Sequence, residues 1–173
     1  MKKILLDASS AILIFKSGLL GLLMGLYEIY MAESVYKELT HDGYPGAKEF
    51  MNWLAEKRYS LAPGCHKPIV NGKLSQETAT LHRGELDTIW LYEKGYGNFI
   101  MTDDGNAASY CKSQHIPFIN ALLFPKVLFS AQKITEYSCT EKMRYILKIG
   151  RYSPEIINWA KSCPKESLDF FLP

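Results

Sequence analysis

The chain has 173 residues, the length of one domain with room for a small appendage. Hydrophobic residues at 47% supply a sizeable core and exclude a disordered chain. A net charge of +2 gives no argument for a nucleic-acid partner, yet leaves a local basic patch open.

Cys65, Cys111, Cys139 and Cys163 are scattered, with no CxxC pair and no His at zinc spacing. They read as reduced, mostly structural thiols of a cytoplasmic protein. The basic start resembles a signal peptide, but Asp7 and Lys16 break its apolar run and no small-residue cleavage site follows. The apolar run 19–26 is too short to span a bilayer before Glu28, so no membrane is expected.

In chain order, Ile4-Leu5-Leu6 is a short apolar strand that ends in a carboxylate, Asp7. Ser9 and Ser10 are good N-caps for a helix over 11–16, and Gly18 is placed to end it. A second short helix over 19–26 is weakened by Gly21 and Gly25. Residues 28–31 read as a strand. Glu33 or Ser34 opens a helix over 35–40, with Val35, Glu38 and Leu39 on one face. A loop over 41–45 leads to an amphipathic helix over 47–57, where Phe50, Trp53 and Leu54 share a face. Residues 59–61 read as a strand. The stretch 63–76 holds two Pro, two Gly and an Asn, and reads as an irregular surface loop.

A helix over 82–94 carries Leu86, Ile89, Trp90 and Glu93 on one stripe and ends at Gly95. Glu85 and Asp87 fall in its first turn, where the helix dipole favours carboxylates. Then Phe99-Ile100-Met101 runs straight into Thr102-Asp103-Asp104. Three apolar residues without helical period, ending in charge, read as a buried strand of a parallel sheet. A helix over 106–112 and a last strand over 116–119 follow. Helices over 121–133, 136–149 and 153–161 complete the chain, the last with Ser153 as cap and Pro154 at its first position. Alternating strands and helices followed by helices predict an α/β core over 1–120, a helical extension over 121–163 and a tail over 164–173.

Asp7, Glu38, Glu85, Asp87, Asp103 and Asp104 are the candidate site residues. All but Glu38 lie at a strand end or a helix start, and Glu38 lies on a core-facing stripe. Ligands of open α/β sheets bind at the C-terminal strand ends. Carboxylates gathered there repel one another unless a cation sits between them, and a divalent ion is the simplest such partner.

The blocks Ile4-Leu5-Leu6-Asp7-Ala8-Ser9, Val35-Tyr36-Lys37-Glu38-Leu39, Gly84-Glu85-Leu86-Asp87-Thr88-Ile89 and Met101-Thr102-Asp103-Asp104 resemble those of the PIN-domain nucleases. The nearest branch is the one whose third block begins Gly-Glu and whose fourth reads Thr-Asp-Asp. Gly150-Arg151-Tyr152-Ser153 in the helical tail also looks like that branch. The resemblance covers nearly the whole chain, and Asp7 with Thr102-Asp103-Asp104 is its most specific part.

It implies a three-layer α/β/α sandwich with a central parallel sheet. It also implies Mg²⁺ or Mn²⁺ held by acidic residues, hydrolysis of RNA phosphodiesters, and a toxin role beside an antitoxin protein. By position Asp7, Glu38, Glu85 and one of Asp103 or Asp104 take the metal and catalytic roles, and Asp87 rivals Glu85. Ser9 and Thr102 would orient the carboxylates. Lys16, Arg83 and Lys112 are the candidates for holding RNA phosphates. The expected partners are RNA, the antitoxin and a second copy of the chain in a homodimer.

The branch often carries a basic residue where this chain has Ala108, and Lys112 lies one turn further on. Two other readings stay open. One is a PIN fold with a weakened site that serves as a binding module. The other is a receiver-like or phosphatase-like α/β domain, which would want an acidic neighbour beside Asp7.

Overall fold

A computed structural model describes residues 1–41, 43–44, 46–62 and 80–173. The loop expected over 63–76, with Cys65, lies outside the described residues, as do Asp42 and Pro45.

The apolar runs become strands covered on both faces. In β1 (Lys3–Leu6), Ile4, Leu5 and Leu6 are at most 1% exposed, and so are all three residues of β4 (Phe99–Met101). With β2 (Glu28–Ala32), β3 (Ser60–Ala62) and β5 (Phe118–Ile119) they form a five-stranded sheet in the order β3-β2-β1-β4-β5. Every pairing is parallel, with Ile4 between Ile29 and Phe99, and Leu6 beside Met101. Gly97 lets the chain enter β4 closely, since a Cβ there would stand 2.7 Å from Leu5 Cγ. The chain starts in the middle of the sheet, builds outward to β3, then returns to the other side of β1. That reversal places a crevice beyond the C-terminal ends of β1 and β4.

The helices are α1 (Ala8–Lys16), α2 (Leu20–Leu26), α3 (Glu33–Leu39), α4 (Ala47–Ala55), α5 (Arg83–Glu93), α6 (Gly105–Ser113), α7 (Phe124–Ser130), α8 (Glu136–Ile149) and α9 (Pro154–Ser162). α3 and α5 pack together, and α5 lies on β1, β2 and β4, while α7 packs on α8. The result is a three-layer α/β/α fold. No single helix among the described residues is long and apolar enough to cross a membrane. α1 and α2 pass that test only as a pair, bent by 115°, and Leu19, Leu20 and Leu23 beside the bend lie in the core. Cys111, Cys139 and Cys163 are free and buried, and burial pushes the Cys111 thiol up to about 12.

Three segments differ from the sequence expectation for identifiable reasons. α1 begins at Ala8 rather than 11, with Asp7 in the extended N-cap position. Ser9 and Ser10 therefore lie inside its first turn, and their hydroxyls serve Asp7 and Asp103 instead of capping. α7 starts at Phe124 because Pro125 is tolerated only in a first turn, and it stops before Gln132, whose φ is +57°. The expected tail contains a 3₁₀ helix, Lys165–Phe171, that packs on α7. Lys2 Nζ donates to the carbonyls of Phe170 and Leu172, and Tyr27 Oη donates to that of Phe171. The Phe171 ring meets Phe99 edge-on with centroids 5.0 Å apart.

Candidate active site

Asp7 follows β1 directly and is 4% exposed. Its Oδ2 accepts hydrogen bonds from Ser9 Oγ at 2.7 Å and from Thr102 Oγ1 at 3.0 Å. The same two hydroxyls accept in turn, Ser9 Oγ from the Asp103 amide and Thr102 Oγ1 from the Asp104 amide. This crossed pair ties the end of β1 to the end of β4. Burial pushes the Asp7 carboxyl up; the Ser9 and Thr102 donors oppose it, and the charge of Asp104 adds to it.

The two aspartates after β4 part company. An extended chain sends successive side chains to opposite sides. Asp104 lines the pocket with Asp7, while Asp103 does not. Asp104 Oδ1 accepts from the Asn106 and Ala107 amides, which caps α6. Asp103 is held by Ser10 Oγ and the Ala121 amide on Oδ2, and by Tyr152 Oη on Oδ1.

A second pair separates in the same way. Glu85 is 8% exposed and lines the pocket, its Oε2 accepting from the His82 amide. Burial, with the charges of Asp104 and Asp7, pushes its carboxyl up to about 7. Asp87, two residues on, accepts from Ser34 Oγ at 2.6 Å and from Arg83 Nε at 3.1 Å, and does not line the pocket. Glu38 reaches the pocket from α3, its carboxyl pushed up by partial burial and then by the charge of Asp7.

Asp7, Glu38, Glu85 and Asp104 thus line one pocket of about 690 Å³. Among the described residues no group of three His, Cys, Asp or Glu side chains stands at metal-holding spacing. The carboxylates face a shared space without closing on a point. All four are hard oxygen donors, which suit Mg²⁺ or Mn²⁺ and not a thiophilic metal. Mg²⁺ keeps several waters and takes only one or two carboxylates directly, so a roomy acidic pocket fits it. Burial, with smaller contributions from neighbouring carboxylate charges, pushes Asp7, Glu38 and Glu85 up, so a cation entering the pocket would be favoured.

Of the expected phosphate-holding residues, only Arg83 lines the pocket, and its Nε is engaged with Asp87. Lys16 and Lys112 are exposed and stand outside the lining. Sequence reasoning missed Lys37 and His82, which both line it. Ser34, Lys37 and Glu38 sit at i, i+3 and i+4 on α3, a spacing that could have shown Lys37 beside Glu38.

Among solved structures, a PilT N-terminus domain protein from the hyperthermophilic archaeon Sulfolobus solfataricus P2 is similar to this chain. The identity is 12% and the TM-score 0.45, over 87% of this chain and 98% of that one. No curated protein matches the sequence. A family model described as a PIN domain matches residues 3–150. PIN domains are generally nucleases. Because that match runs from β1 to the residue after α8 and takes in every carboxylate of the pocket, the chain belongs to the PIN-domain family.

Proposed function

We propose that the protein is a metal-dependent endoribonuclease that uses Mg²⁺ or Mn²⁺, acting in the cell as the toxin of a toxin–antitoxin pair. The observation that carries the catalytic reading is the single pocket lined by Asp7, Glu38, Glu85 and Asp104 at the strand ends of a PIN domain. Those four residues would hold the ion. When bound, it supplies charge stabilisation at the scissile phosphate and lowers the pKa of water.

The chain's own groups set the stage for that chemistry. Ser9 and Thr102 fix the Asp7 carboxylate by donating to one of its oxygens. Burial pushes the Glu85 carboxyl up to about 7, and a dication held beside it would favour its charged form. Lys37, His82 and Arg83 line the same pocket and would be the groups to hold RNA backbone phosphates.

Purified protein on a mixed RNA pool, with Mn²⁺, Mg²⁺ or EDTA, tests the reading beside Asp7→Asn. Cleavage with metal, none in EDTA and none by the variant is expected. Activity that survives either condition would count against it. The open spacing of the carboxylates favours one second reading, a PIN fold that binds RNA or protein without cleaving. Titration with Mn²⁺ separates them, since bound metal without cleavage of any RNA belongs to the second. Growth arrest on expression, relieved by Asp7→Asn and by a co-expressed antitoxin, tests the toxin role.

A further inference from the structure

Asp103 is a carboxylate beside the pocket that the proposed chemistry does not use, yet it has three hydrogen-bond donors. They arrive from three parts of the chain. Ser10 belongs to α1 at 2.5 Å, the Ala121 amide to the turn after β5 at 2.9 Å, and Tyr152 Oη to the segment after α8 at 2.5 Å. Tyr152 lies just past the residues that the family model matches. Gly150 makes its approach possible, because a Cβ there would stand 2.5 Å from the Tyr152 ring.

We propose that Tyr152 is a positioning residue for the acidic pocket: its hydroxyl fixes Asp103, and through Asp103 it aims Asp104. The link is backbone geometry. Thr102, Asp103 and Asp104 follow β4, and Asp104 is itself extended (φ −75°, ψ 131°). Successive side chains on such a stretch point to opposite sides, so anchoring the middle one sets the rotation of both neighbours. Thr102 then reaches Asp7, and Asp104 reaches the pocket and the α6 amides. The segment after α8 is thereby coupled to the site through the Tyr152 hydroxyl.

The inference rests on the metal reading for only one of its two readouts. Tyr152→Phe removes the hydroxyl and keeps the ring. In the folded variant, hydrogen exchange at the Asn106 and Ala107 amides should quicken, since Asp104 Oδ1 holds both. The dissociation constant for Mn²⁺, measured calorimetrically with the metal alone, should rise about tenfold, as for the loss of a group that orients a ligand. Asp103→Asn with Tyr152→Phe should cost little more than either change, because the two act in series. Unchanged exchange and unchanged Mn²⁺ affinity in Tyr152→Phe would overturn the proposal. If wild type binds no Mn²⁺, the metal reading falls and amide exchange alone decides the positioning role. Should Tyr152→Phe fail to fold, Ser10→Ala removes the donor on the other oxygen of Asp103 and should move both readouts the same way. No movement there would count against the proposal equally.

Discussion

Glu85 and Asp87 stand two residues apart on one helix and have opposite surroundings. Asp87 has a serine hydroxyl and a guanidinium, so its charge is answered within the fold. Glu85 accepts from the amide of His82, and faces Asp7 and Asp104. Burial first, and then those two charges, push its carboxyl up to about 7, against an ordinary value of 4.5. In the metal-free protein the fold keeps a proton that the unfolded chain has already released. Stability is then greatest below about pH 4.5 and declines as pH rises through about 7. The whole effect is of the order of 3 kcal/mol for a shift of that size. Melting in EDTA should fall between pH 5 and 7.5, and Glu85→Gln should flatten that fall. Asp7 and Glu38 are shifted in the same direction, so a smaller slope remains in the variant. Saturating Mn²⁺ should abolish the fall in wild type. Equal slopes in wild type and Glu85→Gln would mean that Glu85 does not hold the proton.

The helices matter to the site through their close approach. Gly84 opens α5 against α3, and a Cβ there would stand 3.1 Å from Val35 Cγ2 and 3.6 Å from Glu38 Oε2. Gly84→Ala should push the two helices apart by a few tenths of an ångström and separate Glu85 from Glu38. Overpacking of this kind costs about 1–3 kcal/mol. Both the urea midpoint and the Mn²⁺ affinity should drop; an unchanged affinity would show that α3 and α5 tolerate the shift. This scale also explains what the sequence made legible. The strands were readable because Ile4-Leu5-Leu6 and Phe99-Ile100-Met101 are buried on both faces and so are continuously apolar. The start of α1 was misplaced because a serine favourable as a cap is equally able to serve a distant carboxylate. Asp103 is bonded by Tyr152, 49 residues away, and Asp87 by Ser34, 53 residues away, while Asp104 and Glu85 face the pocket. Local pattern carries no information on such pairings. Lys37 was within reach of helical spacing, whereas His82 reaches the pocket only through how α5 packs on α3.

At the scale of the molecule, the two ends of the central strands have separate duties. The C-terminal ends of β1 and β4 carry the carboxylates. The N-terminal ends are covered by the last residues of the chain. Phe99 opens β4 beneath the rings of Phe170 and Phe171, and also meets Tyr27, whose hydroxyl is bonded to the Phe171 carbonyl. Tyr27 and Phe99 are each at most 2% exposed. Deleting residues 165–173 would uncover both rings, remove buried Leu168, and leave the Tyr27 hydroxyl and the Lys2 ammonium without these carbonyls. The loss should resemble that of a large aromatic core residue, about 3–5 kcal/mol. Urea denaturation of the truncated chain should show it as a lower midpoint. The Mn²⁺ affinity of the fraction that remains folded should be unchanged, because the deleted helix touches the end of the sheet opposite the pocket. That contrasts with Tyr152→Phe, which should weaken the metal. A truncation that weakens Mn²⁺ binding as much as it lowers stability would show that the two ends of the sheet are not independent.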